Sequence, residues 1–223
     1  MIKMIDEHET IKTLESKLTY LFITRDKTIF EKQLSLLSDL KSKITETKNE
    51  YISQQNENEA NKWLSIENIC LSIIEGLHLF VKLKENDPDN AWNRLIAAQN
   101  HASWSNNEYH LSGDIQRNCI SHFNNIELVL FPPQAFMSAS LVSERSECSI
   151  CHKEFSECEH IRGEAYMGQA CTETCTKIKE FHHAAVVDHP DDKRCRVTHY
   201  GDTNPPTINK MTLLDESKNK QDD

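Results

Sequence analysis

The sequence lacks any long run of apolar residues. No stretch among its 223 residues approaches the roughly 18 to 20 consecutive apolar residues that a bilayer-spanning helix needs. Its first residues, MIKMIDEHETIK, also lack the basic-then-apolar order of a signal peptide. We therefore expect a protein that stays in the cytoplasm and does not contact a membrane.

An excess of positive charge is also missing. The 25 Lys and Arg residues are outnumbered by 35 Asp and Glu residues, which gives a formal net charge of -10. Proteins that bind nucleic acids usually present a basic face that replaces the counterions of the phosphate backbone. Broad nucleic-acid binding by this chain alone is therefore not expected. An accessory subunit that contacts nucleic acid inside a larger, more basic assembly is kept as an alternative.

Disulfide bonds are not expected, although the chain contains eight cysteines. The cytoplasmic glutathione and thioredoxin pools keep thiols reduced, so clustered cysteines there favour metal binding. The chain is also long enough to bury a hydrophobic core, unlike a miniature disulfide-rich protein. Its length suits one large domain, or a main domain with a small appendage.

Apolar residues recur at the three- and four-residue spacing of a helix through the first 131 residues. Thr28 and Glu31 have the spacing of a capping box, so a helix is predicted to begin at Thr28, with one long bent helix as the alternative. Pro88 and the sequence FPPQ end later helical runs. The pattern predicts a bundle of four or five helices, in which Cys70 and Cys119 are small buried side chains.

The composition changes after Pro133, where histidine, cysteine and glycine cluster. The stretch HHAAVVDHP predicts a short β-branched strand, and DESKNKQDD is a polar end with little to bury. We therefore predict a mainly α protein with three parts: an N-terminal helical bundle over residues 1–140, a small C-terminal α+β zinc-binding module over residues 141–203, and a mobile polar tail over residues 204–223.

The strongest local signal is CSIC, residues 148–151. Two thiolates three positions apart at one tight turn can bind a single tetrahedral metal ion. Two arrangements complete such a site. In the first, further ligands come from Cys158, His160 or Cys171. In the second, Cys171 and Cys175 lie one turn apart at the start of a helix, CTETCTKIKEF, as in a treble-clef site.

This surplus of ligands is compatible with a structural or a catalytic metal. Thiolate-rich ligation is typical of closed structural zinc sites, and Glu159 alone is a weak signal for a catalytic base, so no catalytic residue is assigned. An HNH-like metal-dependent nuclease is the alternative, because CSIC, CEHI and VVDHP superficially resemble its elements. The spacing from His160 to Cys171 is short for that fold. Three more residues stay open as additional ligands: Cys175, His182 and Cys195.

The stretches FPPQAFMSAS, CSICHKEFSECEHIRGEAYMGQAC and AAVVDHPDDKRCRV lie between residues 130 and 198. Together they resemble a family of uncharacterised bacterial and phage-associated zinc-binding proteins with the pattern C-x2-C-x6-C-x-H-x2-G-x2-Y-x-G-x2-C. The pattern matches these positions: Cys148, Cys151, Cys158, His160, Gly163, Tyr166, Gly168 and Cys171. The resemblance implies a zinc-binding module in proteins associated with mobile elements or with defence against them, and it implies no reaction.

The sequence thus predicts a non-enzymatic protein that binds Zn2+ and a protein partner, as an accessory subunit of a phage-related or antiphage complex. Gly163 and Gly168 are predicted to give the loop its positive backbone dihedrals. A closed zinc site needs four ligands, so Cys158 and His160 compete for one position. The predicted metal ligands are Cys148, Cys151, Cys158, His160 and Cys171.

Overall fold

The computed structural model describes residues 5–18, 26–104 and 114–217. In these residues, five α-helices precede a C-terminal module of β-strands. The helices are α1 (Glu7–Leu18), α2 (Lys27–Ser53), α3 (Glu57–Lys84), α4 (Pro88–Trp104) and α5 (Ile115–Leu130). The strands are β1 (Phe136–Cys148), β2 (Ala165–Tyr166), β3 (Gln169–Ala170), β4 (Glu173–Val187), β5 (His199–Tyr200) and β6 (Ile208–Asn209). The mainly α architecture with a small C-terminal module is confirmed.

Helix α3 lies at the centre of the bundle, where it packs against α2 and α4 and also contacts α1 and α5. It buries Trp63, Ile69 and Leu79 along its length. Cys70 is fully buried in the same core, and burial raises the pKa of its thiol to about 12. Cys119 of α5 is equally buried and has a pKa of about 12 for the same reason. The prediction of two small buried cysteines is therefore confirmed.

The apolar character of α3 also suits a membrane-spanning segment. By length and composition, it is the one helix within the described residues that is long and apolar enough to cross a bilayer. In the structure, 67% of its apolar window is buried inside the protein. A helix surrounded by other helices needs apolar residues on nearly all its sides, so its central position accounts for this composition.

Helices α2 and α4 begin at polar caps. Asp26 precedes α2, and its carboxylate accepts a hydrogen bond from the Thr28 backbone N–H at 2.9 Å. The predicted cap at Thr28 is therefore wrong, because Asp26 caps the helix and Thr28 already lies in its first turn. Helix α4 begins at Pro88, where the sequence predicted a break. The Asp87 carboxylate accepts from the Asn90 N–H at 3.2 Å and caps this helix.

The C-terminal module is built on a long antiparallel ribbon of two strands, β1 and β4. The pairing runs from Phe136 opposite Val187 at one end to Cys148 opposite Glu173 at the other. The short strand predicted near residue 186 is thus part of a longer one. The helix predicted to start at Cys171 is wrong, because the Thr, Ile, Phe and Val residues that follow it pair with β1 as a strand.

The ribbon joins the bundle at its Phe136 end. Phe136 is buried against Trp92 of α4, with the ring centroids 6.3 Å apart. The chain beyond β4 returns to the same place, where the buried side chain of Arg196 forms an ion pair with Asp89 of α4. An aromatic contact and an ion pair therefore fix the point at which the ribbon leaves the bundle.

The two predicted domain limits, near residues 140 and 204, can be located in the structure. The bundle ends with α5 at Leu130, and residue 140 lies inside β1. In residues 204–217, strand β6 pairs with β5, and Asn209 is buried, with its Nδ2 donating to the Glu216 carboxylate at 2.9 Å. This part of the predicted tail is attached to the module, and residues 218–223 lie outside the described residues.

Candidate metal centre

Four potential metal ligands meet at the far end of the ribbon. The sulfur atoms of Cys148, Cys151 and Cys158 and a ring nitrogen of His160 all lie within 4.8 Å of one another. Cys148 ends β1, and a tight turn brings Cys151 back beside it. A single turn of 3-10 helix, Phe155–Glu157, then leads to Cys158 and His160. Three thiols and one imidazole form a donor set that is typical of zinc.

Backbone hydrogen bonds hold the turn between Cys148 and Cys151. The Ile150 N–H donates to the Cys148 sulfur at 3.4 Å, and the His152 N–H donates to the Cys148 carbonyl oxygen at 2.9 Å. His152 has a φ of 59°, in the left-handed region that most side chains avoid. The chain therefore reverses sharply within four residues, which places both thiols of the CxxC pair in one cluster.

A fifth donor, the Cys171 thiol, lies next to this set. Its Sγ atom is 3.8 Å from the Sγ atom of Cys148, and both cysteines are fully buried. Two thiolates on one tetrahedral zinc ion are separated by about 3.8 Å when each Zn–S bond is about 2.3 Å long. A thiol that donates a weak hydrogen bond to a neighbouring sulfur has a similar spacing. The distance alone therefore suits either role.

Hydrogen bonds favour a thiolate at Cys148. Burial alone raises the pKa of this thiol, but hydrogen bonds to its sulfur from the Cys151 and Ile150 N–H groups and from the Cys171 and Cys158 thiols lower the pKa to about 6. Burial raises the pKa of Cys171 to about 11, with the adjacent Cys148 sulfur adding to the shift. Burial also raises the pKa of Cys158. Without a cation, the cluster thus favours a thiolate at Cys148 beside the protonated thiols of Cys158 and Cys171.

The His160 ring is held against Tyr166. The two rings meet edge to face with their centroids 4.5 Å apart, and the Tyr166 hydroxyl accepts a hydrogen bond from the Ile161 N–H at 3.0 Å. The Nδ1 atom of His160 is buried and has no hydrogen-bond partner among the described residues. Burying such a nitrogen without a partner is costly. This atom therefore fits a metal ligand.

The loop that returns to Cys171 contains a tight hairpin. Gly163 and Gly168 have φ values of 90° and 73°, which confirms the predicted positive dihedrals. Met167 has a φ of 45°, so both central residues of the turn between β2 and β3 are left-handed, as a type I′ hairpin turn requires. The Cys171 N–H then donates to the Glu164 carbonyl oxygen at 2.8 Å, which fixes Cys171 beside the other cysteines.

The same hairpin turn attaches the metal cluster to the helical bundle. The buried Asn61 side chain of α3 donates to the Ala165 carbonyl oxygen at 3.0 Å and accepts from the Gly168 N–H at 2.6 Å. The Met167 N–H donates to the Glu57 carboxylate at 3.1 Å. Sequence reasoning missed this link, because neither polar residue differs in pattern from the others on α3.

The remaining predicted candidates lie outside the cluster. Cys175 and Cys195 are exposed, and the Cys175 sulfur lies 3.2 Å from the Ser143 hydroxyl oxygen on the ribbon. His182 is exposed on β4. Among the described residues, none of these three joins the group of converging donors. The treble-clef arrangement is wrong, because β4 replaces the helix that was to carry its last two cysteines.

Comparisons with protein families, with curated proteins and with solved structures found no match for this chain. The metal-binding part of the resemblance described above agrees with the Cys148, Cys151, Cys158 and His160 cluster. Membership of the phage-associated family stays a prediction.

Gly168→Ala is expected to destabilise the protein more than Gly163→Ala. Both positions have a positive φ, which costs alanine about 1–2 kcal/mol. A Cβ atom at Gly168 would also lie 3.0 Å from the Ile52 Cδ1 atom of α2, whereas one at Gly163 meets nothing within 4 Å. The free energy of unfolding in urea, measured with zinc present, should fall for both variants and fall further for Gly168→Ala.

The Ile52→Ala background is the matched control for this prediction. Removing the Ile52 side chain relieves the close contact and leaves the backbone cost, so the two glycine variants should then lose similar stability. Equal losses in the wild-type background would contradict a close approach between the turn and α2.

Proposed function

We propose that this chain is a non-enzymatic zinc protein in which the metal holds the ribbon and its loop in shape for binding a protein partner. The observation that carries the proposal is the convergence of three thiols and the His160 imidazole within 4.8 Å. Structural zinc ions in small modules contribute folding free energy, on the order of 10 kcal/mol as apparent affinity at neutral pH. A loop of short strands with little apolar core gains most from such a contribution.

The proposed ligands are Cys148, Cys151, Cys158 and His160. A zinc ion at this position would bind a ring nitrogen of His160, whose buried Nδ1 atom has no other partner in the described residues. Cys171 is assigned to a supporting role, because it lies outside the group of four donors that are within 4.8 Å of one another, and its sulfur is at hydrogen-bonding distance from that of Cys148. A thiol donor beside a zinc-bound sulfur orients and stabilises the ligand.

Cobalt substitution should distinguish three thiolate ligands from four. We expect Cys171→Ser to keep the sulfur-to-cobalt charge-transfer absorbance of the wild type, because a hydroxyl can replace the thiol as a hydrogen-bond donor. His160→Ala should weaken cobalt and zinc binding at least 10-fold, measured by competition with a chromophoric chelator. Loss of one cobalt–thiolate bond in Cys171→Ser would instead make Cys171 a ligand.

The ribbon supports a role in protein binding. Most side chains of β1 and β4 are exposed, and the two strands form a sheet of their own. An isolated two-stranded ribbon is marginally stable in water. Here Trp92 holds one end, and the proposed zinc site with Asn61 holds the other. Maintaining an exposed element in this way suits presentation of a surface to another protein.

The wider setting of this function rests on composition and on the family resemblance. A cytoplasmic accessory subunit of a phage-related or antiphage complex fits both, and the net charge of -10 makes a direct nucleic-acid contact more plausible inside a basic assembly than for the chain alone. Affinity purification from the native host, with the wild type beside a ribbon variant such as Val186→Lys, should identify a partner. That partner should then bind the purified wild type and not the variant.

A nuclease assay tests the non-enzymatic assignment. Purified wild-type protein carrying one zinc ion per chain should leave DNA intact in the presence of Mg2+, Mn2+ or Zn2+. Divalent-metal-dependent cleavage that disappears in His160→Ala would overturn the assignment in favour of an HNH-like nuclease.

A further inference from the structure

One face of the ribbon is apolar and open to solvent. The strand register places four pairs of residues side by side on it: Met137 with Val186, Ala139 with Ala184, Leu141 with Phe181, and Ser143 with Ile178. We call these eight residues the apolar ribbon face. Its large side chains are about half exposed: Met137 45%, Leu141 48%, Ile178 56%, Phe181 57% and Val186 66%. Cross-strand pairing therefore gathers them into one continuous stripe.

The area of this stripe matches what a dimer needs. Five large apolar side chains at this exposure present on the order of 500 Å2 to water, which equals the larger patches found on monomeric proteins. A standard interface buries about 800 Å2 on each partner, and roughly 60% of that area is apolar. The apolar ribbon face thus supplies the apolar part of one side of a standard interface.

The bundle of the same chain is not placed to cover this face. One end of the ribbon is attached through Phe136 to Trp92, and the other through the hairpin turn to Asn61. With both ends attached, the ribbon would have to give up one of these contacts to turn its apolar face toward the helices. The described helices make few contacts with either strand of the ribbon beyond these attachments.

The charges beside the face favour a second copy of the chain over a basic or acidic partner. Acidic and basic residues nearly balance in the two strands, whereas the whole chain is strongly acidic. Glu144 and Lys177 form an ion pair at 2.7 Å across the strands, with Lys179 and Glu180 nearby in sequence. Because the two strands carry nearly equal numbers of acidic and basic residues, two copies can meet there without the repulsion expected from the net charge of -10 of each chain.

Face-to-face contact is favoured over addition of a strand at the ribbon edge. The pairing of β1 with β4 shifts register at four places, between Ser140 and Ser146. Such bulges bend and twist a strand, so a neighbouring strand cannot continue a regular ladder along it. The side chains of the apolar ribbon face project from the sheet, so contact between two such faces does not need a regular hydrogen-bond ladder.

We propose that two copies of this chain associate through the apolar ribbon face, packing Leu141 and Phe181 of one copy against the same face of the other about a two-fold axis. This inference rests on the proposed protein-binding role of the ribbon, and it identifies the partner as a second copy of the chain. Burial of the paired Leu141 and Phe181 side chains at the middle of the stripe would provide the apolar centre of the interface.

Sedimentation equilibrium of the zinc-loaded protein tests the proposal. The wild type should be a dimer at micromolar concentration, and Phe181→Asp should weaken the dimer at least 100-fold. Val186→Lys, at the most exposed of the five large side chains, is the second variant and should also weaken it. Leu128→Asp is the matched control, because Leu128 is 81% exposed on α5 and should leave the dimer unchanged.

Zinc content and circular dichroism separate the outcomes. A wild type that binds one zinc ion and sediments as a monomer overturns the dimer and leaves the zinc assignment standing. A dimer that survives both ribbon variants, or that weakens equally in Leu128→Asp, also overturns the proposed interface. A wild type without stoichiometric zinc contradicts the proposed function itself. If Phe181→Asp loses zinc or strand content, the strength of the dimer is compared between Val186→Lys and the control Leu128→Asp. A weaker dimer in Val186→Lys alone then supports the interface.

Discussion

Cys148→Ser is expected to abolish stoichiometric zinc binding and to unfold the C-terminal module while the helical bundle stays folded. Cys148 lies at the centre of several contacts in the cluster: it is fully buried, its sulfur accepts a hydrogen bond from the Ile150 N–H, and this sulfur lies 3.8 Å from that of Cys171. Serine keeps the size of the side chain and loses the thiolate that binds zinc. The loss approaches the whole metal contribution, on the order of 10 kcal/mol.

Metal analysis and hydrogen exchange measure this outcome. Zinc per chain should fall from one toward zero, and backbone amides of residues 148–171 should lose protection from exchange, whereas those of α3 should keep it. The helices retain protection because their core, with Trp63, Ile69 and Leu79, does not include the cluster.

Cys175→Ser is the matched control for this substitution. Cys175 is an exposed cysteine on the same ribbon, and a serine hydroxyl can keep its contact with Ser143. The control should bind zinc as the wild type does. A Cys148→Ser protein that is free of metal and still protected from exchange in residues 148–171 would contradict the structural role of the ion.

Trp92→Ala is expected to lower the free energy of unfolding by about 3–5 kcal/mol, as large core substitutions do. Trp92 is 1% exposed and contacts both the end of the bundle and the base of the ribbon. Its ring meets Phe131 edge to face at 5.3 Å and lies 6.3 Å from the ring of Phe136, and its Nε1 donates to the Lys193 carbonyl oxygen at 2.9 Å. Alanine would leave a cavity at this junction and an acceptor without its partner.

Trp92→Phe separates the contribution of the aromatic packing from that of the hydrogen bond. Phenylalanine keeps most of the aromatic contact and loses the hydrogen bond, so its loss should be well below that of alanine. Chemical denaturation followed by far-ultraviolet circular dichroism provides the measurement. An alanine variant with nearly wild-type stability would contradict the role of Trp92 in joining the two parts of the protein.

The helical bundle was predictable from the sequence because its signal is local. Apolar residues spaced three and four apart, as at Ile69, Cys70 and Ile73, lie on one side of a helix whatever the rest of the chain does. Helix breaks at Pro88 and near Pro132 follow from the missing N–H group of proline. The cap at Asp26 was missed because Asp26 and Thr28, two positions apart, are both suitable caps for one helix start, and the backbone conformation decides between them.

The metal centre was predictable in its chemistry and less so in its geometry. The CxxC spacing and the reduced state expected of cytoplasmic thiols indicated Cys148 and Cys151 as ligands, and both belong to the cluster. Spacing did not decide between the candidate positions of Cys171 and Cys175, because a strand and a helix suit the residues between Thr172 and Phe181 by local preference. Pairing with β1 makes this segment a strand and places Cys175 outside the cluster.

By itself, the sequence determined the helices, the buried Cys70 and Cys119, and the type of donor that gathers near residue 150. Those properties depend on residues close together in the chain or on the chemistry of single side chains. Tertiary structure alone decided the length of the ribbon, the attachment of its loop to Asn61 and the exposure of Phe181. Each of these depends on contacts between segments tens of residues apart, which local patterns do not encode.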